Sequence, residues 1–328
     1  TVLDPEQTSE ALQLAREELT LYPVPARHTQ LQMEIAQLLT MLDREPEAVV
    51  AAYLDVLSIE PDQTDALAGI EAPARKLGMW DELARAFRGA PQTPRNLETL
   101  AEALTKIADW PELAEVRRRQ LEVAVSMTEK AQRASELAKL YEHELGDIDG
   151  AIRMLVMAQT TQPDEARHKD LLRLLRGAER WVEMASVLER ELKIVPPEQT
   201  KRQVEILLEL GELRADKLGK SADAVTAYES VLERDPKNAV ATARLEMLYE
   251  SLGRERELAH ILEARAETIA DPVEKAKLLG RVGGLRGNRG DIEGSIAADT
   301  SAFRLDPANR EVFTAMERVC YKAERWAA

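Results

Sequence analysis

Around residues 237–252, Ala241, Leu245, Leu248 and Leu252 recur at three- and four-residue spacing. That period puts side chains on one face of a helix. Pro236 precedes the run, where its missing N–H costs nothing. Gly253 follows it as a stop, because glycine tolerates the left-handed conformation. In the helix before, Ala224, Tyr228, Val231 and Leu232 form the facing stripe. No Val/Ile-rich alternating run of strand length occurs. The pattern predicts an all-α chain of paired helices.

The pattern repeats. PEAVVAAYLDVLSIEP (46–61), GDIDGAIRMLVMAQTTQP (146–163), GKSADAVTAYESVLERDP (219–236) and GDIEGSIAADTSAFRLDP (290–307) align, each closing on proline. The last three of these prolines, Pro163, Pro236 and Pro307, are spaced by 73 and 71 residues. A second set interleaves: WDELARAFR (80–88), WPELAEVRR (110–118), WVEMASVLE (181–189) and RERELAHILE (254–263). Half of the period is close to one helix-turn-helix. Eight whole helix pairs are expected, starting near residues 25, 62, 94, 127, 164, 198, 237 and 271. A half pair is expected at each end, 1–24 and 308–328, so residues 1–328 read as one continuous array cut from a longer chain. A lone helix pair cannot bury its apolar face, so each unit must stack on neighbours.

Composition agrees with helix. The chain has 328 residues, 31% of them charged and only 4% aromatic, and Ala, Leu and Glu dominate. The net charge of −15 argues against nucleic acid and anionic membrane surfaces. No apolar run approaches 18 residues, so no membrane insertion is expected. No signal peptide is visible from Thr1 onward, and the one cysteine, Cys320, excludes an intrachain disulfide framework. A cytoplasmic location is the expectation.

The stretch 282–307, VGGLRGNRGDIEGSIAADTSAFRLDP, resembles a tetratricopeptide repeat in Gly283, Gly290-Asp291, Ser295, Ala302 and Pro307, with Asp299 replacing the aromatic. In the 219–236 copy the matching residues are Gly219, Ala224, Tyr228, Val231 and Pro236. The resemblance covers essentially the whole chain, but only every second unit matches well. The Trp-type units lack the closing proline. Pro73 falls inside a helix, where a kink is expected. Several first helices carry one extra residue before the turn, as LYEHELGD does against LRGNRGD.

The resemblance implies a right-handed superhelix, an α-solenoid of stacked antiparallel pairs, whose first helices line a concave groove. It also implies binding of a peptide, helix or protein in that groove, rather than catalysis. By the register of the resemblance, groove-lining candidates are Arg167, Asp170, Glu205, Glu212, Val240, Met247 and Glu250.

Gly219-Lys220-Ser221 matches the tail of a phosphate-binding loop. Five residues before Gly219 stands Arg214 instead of glycine, and the preceding segment reads as helix. A turn between helices is the better reading, and the same holds for Arg289-Gly290-Asp291. His28, His143, His168 and His260 form no metal-binding motif, so no metal and no cofactor is expected. Cys320 belongs to the apolar face of a helix with Phe313 and Met316, as an inert thiol. The tryptophans stand at a repeated place before a helix, which suggests core packing.

One polar feature stands apart. In 164–180 Lys169, Arg173, Arg176 and Arg180 share one helical face, a candidate for an acidic partner. Local pairing with Glu165, Asp170 or Glu179 is the competing reading.

The expected function is a protein-interaction scaffold. The alternative is an accessory repeat segment of a larger enzyme or signalling protein. Self-association through exposed repeat ends is a further expectation, and catalysis within residues 1–328 is not expected.

Overall fold

The computed structural model describes residues 5–21, 25–42 and 45–308, the side chains of 25 and 26 excepted, together with 310, 313, 314, 317 and 321. Seventeen α-helices and no strand occur among the described residues. The chain divides into two compact units, Thr1–Leu174 and Leu175–Ala328.

In the first unit the helices are α1 (Pro5–Leu21), α2 (Pro25–Leu42), α3 (Pro46–Ile59), α4 (Thr64–Leu77), α5 (Trp80–Arg88), α6 (Pro94–Ile107), α7 (Trp110–Val123), α8 (Met127–His143) and α9 (Ile148–Thr161). Each packs on the next. α10 (Glu165–Gly177) spans the division between the units. The second unit holds α11 (Trp181–Ile194), α12 (Thr200–Glu212), α13 (Ser221–Arg234), α14 (Ala239–Ser251), α15 (Glu255–Thr268), α16 (Pro272–Asn288) and α17 (Ile292–Leu305). These again pack in chain order. First helices of the pairs are the even-numbered ones.

Eight turns lead from a first helix into its second, and each holds one residue with positive φ. They are Glu45, Gly78, Ala108, Gly146, Glu179, Gly219, Gly253 and Gly290. The backbone of this turn therefore recurs even where the glycine does not. Gly219 has φ of 64°, so the Gly-Lys-Ser tripeptide is a helix-ending turn with no strand before it. Asp109, Asp147 and Asp291 follow the positive-φ residue and accept hydrogen bonds from the N–H groups of Glu112, Gly150 and Gly294. Those donors are left over at a helix start.

The extra residue before some turns is absorbed in the backbone. α12 runs into a π-helical turn over Leu213–Lys217 before Gly219. In α8 the Leu145 N–H reaches the Leu140 carbonyl, five residues back. A wider turn takes up one residue without moving the packing face. Pro73 lies inside α4 without ending it, because α4 continues to Leu77.

The core repeats with the sequence. Eight residues before each closing proline stand Tyr53, Leu155, Tyr228 and Asp299, and all four are buried. Tyr228 lies on Gly211 of its own first helix, where an added Cβ would enter the ring. Tyr53 lies on Gly69 of the following helix in the same way. The tryptophans meet the expectation of core packing in part. Trp80, Trp110 and Trp181 are half-buried, and Trp80 and Trp110 pack against the core of the first unit. Each begins a second helix. Lys106 covers Trp80 at 5.7 Å and Lys217 covers Trp181 at 5.0 Å from the ring centroid. Trp326, Cys320 and Met316 lie outside the described residues, as does most of the expected 308–328 half pair. Phe313 stacks at a tilt on Phe303, 5.9 Å between ring centres.

Candidate partner-binding surface

In the first unit the first helices α8 and α10 border a cleft of about 460 Å³. α8 contributes Gln132, Glu136, Lys139 and Glu142, and the start of α10 contributes Arg167 and Asp170. Packing explains why these side chains face out. Ala131, Ala134, Leu137, Ala138 and Leu140 take the buried face of α8, which leaves the polar residues between them for the other side.

Asp164 lies at the mouth and sets the local geometry. Its carboxylate accepts the N–H of Arg167 at 3.0 Å, and that bond holds its pKa below the usual carboxylate range. Arg167 donates through Nη2 to the Gln162 carbonyl at 2.8 Å, which anchors its guanidinium against the cleft wall. Glu142 receives a bidentate pair from Arg173, at 2.7 and 3.0 Å. This pair lowers the pKa of Glu142 and raises that of Arg173. Glu136 faces Arg117 and Arg133 at 3.8 and 3.7 Å. Lys139 is exposed and has no ion pair among the described residues. The cleft thus offers a free ammonium, a fixed guanidinium and carboxylates already compensated from outside it. Such a surface binds polar groups by complementarity. No group of three or more metal-ligating side chains occurs among the described residues.

Arg167 and Asp170 come together in this cleft. Glu205, Glu212, Val240, Met247 and Glu250 lie in the second unit, and all five are exposed. Val240 and Met247 are 57% and 64% exposed on one face of α14, whose opposite face buries Ala241, Leu245 and Tyr249. Glu205 pairs with Arg202 at 3.0 Å, and Glu250 faces Arg281 at 3.6 Å.

The basic stripe is paired throughout. Lys169 meets Glu165, Arg173 meets Glu142 and Asp170, Arg176 meets Glu209, and Arg180 meets Glu183. Two of these partners, Glu142 and Glu209, come from neighbouring first helices, which a reading of the helix by itself misses. Of the histidines, His168 is buried while His143 and His260 are exposed. The cleft's α8 residues escaped the sequence reading. Their only signal was the polar spacing Gln132, Glu136, Lys139, which any solvated helix shows.

No family model matches the chain, and no curated protein matches it in sequence. Solved structures resemble it in structure at low sequence identity. The TPR domain of P58(IPK) is 15% identical over 98% of this chain and 99% of that one, with a TM-score of 0.27. The Naa15/Naa10 structure bound to HypK-THB is 14% identical over 98% of this chain and 59% of that one, with a TM-score of 0.39. The TPR2AB domain of yeast Sti1 with pHSP90 is 15% identical over 79% of this chain and 98% of that one, with a TM-score of 0.28. Superpositions this loose carry nothing about binding. The eight positive-φ turns and the ring-on-glycine contacts are this chain's own. With helix pairs packed in chain order inside each unit, they make the fold a tetratricopeptide-like helical repeat.

Proposed function

We propose that the chain is a non-catalytic interaction scaffold that binds a peptide, helix or protein segment along its first helices. The observation that carries this reading is the cleft between α8 and α10, because it is concave and lined by polar side chains that packing does not use. Val240 and Met247 offer a second face of the same kind, with apolar surface for a partner to cover. The reading treats residues 1–328 as one array of helix pairs. The basic stripe supports binding less, since an acidic partner would first have to displace carboxylates already in contact.

The test is capture from native lysate on the immobilised chain, with the bound segment then mapped by crosslinking. Arg167→Glu combined with Asp170→Lys is expected to reduce capture at least tenfold while leaving the thermal unfolding midpoint within a few degrees. Crosslinks are expected at Lys139. Undiminished capture by the double variant, or crosslinks confined to second helices, would sink the proposal. Turnover of a substrate by the purified chain, abolished by a point mutation, would sink its non-catalytic part.

A further inference from the structure

Asp299 holds the place where the other proline-closed copies put Tyr53, Leu155 and Tyr228. Its side chain is 0% exposed. Around it α16 buries Ala276, Val282 and Gly283, and α17 buries Ser295, Ala298 and Ala302. A carboxylate in such surroundings has lost its water and needs compensation.

Hydrogen-bond counting shows which form of the side chain fits. The Ser295 hydroxyl lies 2.7 Å from the Gly283 carbonyl and 3.5 Å from Asp299 Oδ2. A hydroxyl has one proton, and a carbonyl can only accept, so the short contact takes it. The longer contact is then a hydrogen bond only when Asp299 carries a proton and donates to the serine oxygen. Asp299 Oδ1 has no hydrogen-bond partner among the described residues. It lies over Gly283, where any side chain would collide with it.

Among the described residues no charge compensates an anion here. The influences on the carboxyl are burial and Ser295. On α16, Arg281 turns to Glu246 and Arg286 to Glu263. The remaining α16 groups, Glu274, Lys275 and Lys277, occupy its first two turns, away from Gly283 in sequence. On α17, Asp291 caps Gly294, while Glu293 and Arg304 stand near the two ends. Beyond α17, Arg310 and Glu317 are exposed.

The helix facing Asp299 is also weak. α16 contains Gly280, Gly283, Gly284 and Gly287, and glycine is among the poorest residues for a helix interior. Gly283 is required by Asp299, whereas Gly284 has open space where a side chain would be.

We propose that Asp299 is a proton-operated latch, closing α16 on α17 when neutral and loosening the pair when ionised. Burial pushes its pKa up to about 6, with the Ser295 hydroxyl acting in the opposite direction. In the opened pair the carboxyl titrates as an ordinary aspartate, near ~3.9. The closed pair therefore holds its proton across pH 4–6 while the opened pair does not. Closure is strongest below that window, weakens through it, and is constant above it.

The experiment uses the whole chain. The Asp299 carboxyl resonance is followed by carbon NMR from pH 5.5 to 8, and amide exchange in α16–α17 is measured in wild type and Asp299→Asn, with intrinsic rates corrected. The resonance is expected to titrate inside that range. The opening constant of the wild-type pair is expected to rise about fourfold from pH 5.5 to 8, and at pH 7.5 to exceed that of the Asn variant on the order of a hundredfold. A resonance that does not move above pH 5.5 overturns the proposal, as does equal protection of the two proteins at both pH values. Should the variant fail to fold, the wild-type titration alone decides.

Discussion

At the scale of the residue, the left-handed turn position separates backbone demand from residue identity. Gly290 and Gly219 meet the demand without strain, whereas Ala108 and Glu179 meet it at φ of 58° and 55° with a side chain attached. A non-glycine residue there costs about 1–2 kcal/mol. Ala108→Gly and Glu179→Gly are therefore each expected to stabilise the chain by about 1 kcal/mol, read as a higher urea midpoint at constant slope. Gly290→Ala is expected to shift the midpoint the other way. The two adjacent glycines of α16 make a sharper pair. Gly284→Ala fills open space and gains up to about 1 kcal/mol. Gly283→Ala drives a methyl into the Asp299 carboxyl and is expected to destabilise, by about 1–3 kcal/mol on the scale of overpacked cores. The turn glycines and the aspartate at an aromatic position were both legible in the sequence. That Asp299 would be fully buried was not, because an aspartate at one repeat position reads equally well as a local solvent break.

At the scale of the element, rings on glycines set the distance between paired helices. Tyr228 is 1% exposed and lies on Gly211. Gly211→Ala is expected to separate α12 from α13 and cost about 1–3 kcal/mol, seen as faster amide exchange in both helices. Ion pairs between first helices act more weakly. Glu142 has its pKa lowered by Arg173, so the stability it contributes is present above the ordinary glutamate pKa and is lost as pH falls through the depressed value. Arg173 is 53% exposed, and screening limits the pair to roughly 1 kcal/mol or less. Glu142→Gln is expected to remove that acid-side loss, measured as a flatter stability profile below pH 5. The helices and their starts followed from spacing and turn residues. The π-helical turn before Gly219 did not, because one surplus residue can be absorbed in a turn, a loop or a helix end.

At the scale of the whole molecule, contacts are local and the two units have cores of their own, one around Leu31, Val56 and Leu104, the other around Tyr228, Leu262 and Val282. Arrays of this kind unfold as coupled neighbours rather than as one body. Single-tryptophan variants that keep only Trp80 or only Trp181 are expected to give non-coincident urea transitions, since the two report on different units. Coincident transitions at every pH would contradict this. No helix among the described residues is long and apolar enough to cross a membrane.

Helix periodicity, turn glycines and closing prolines are local properties, legible in the order of residues. The all-α class, the pairing and the repeat followed from the residues alone. Tertiary structure decided what depends on neighbours distant in sequence. Carboxylates from adjacent first helices paired Arg173 and Arg176 of the basic stripe, α8 and α10 made a cleft from side chains distant in sequence, and α16 and α17 sealed one carboxyl away from water. Charge, exposure and protonation are set by what lies across a packed interface, and spacing along one helix does not reveal it.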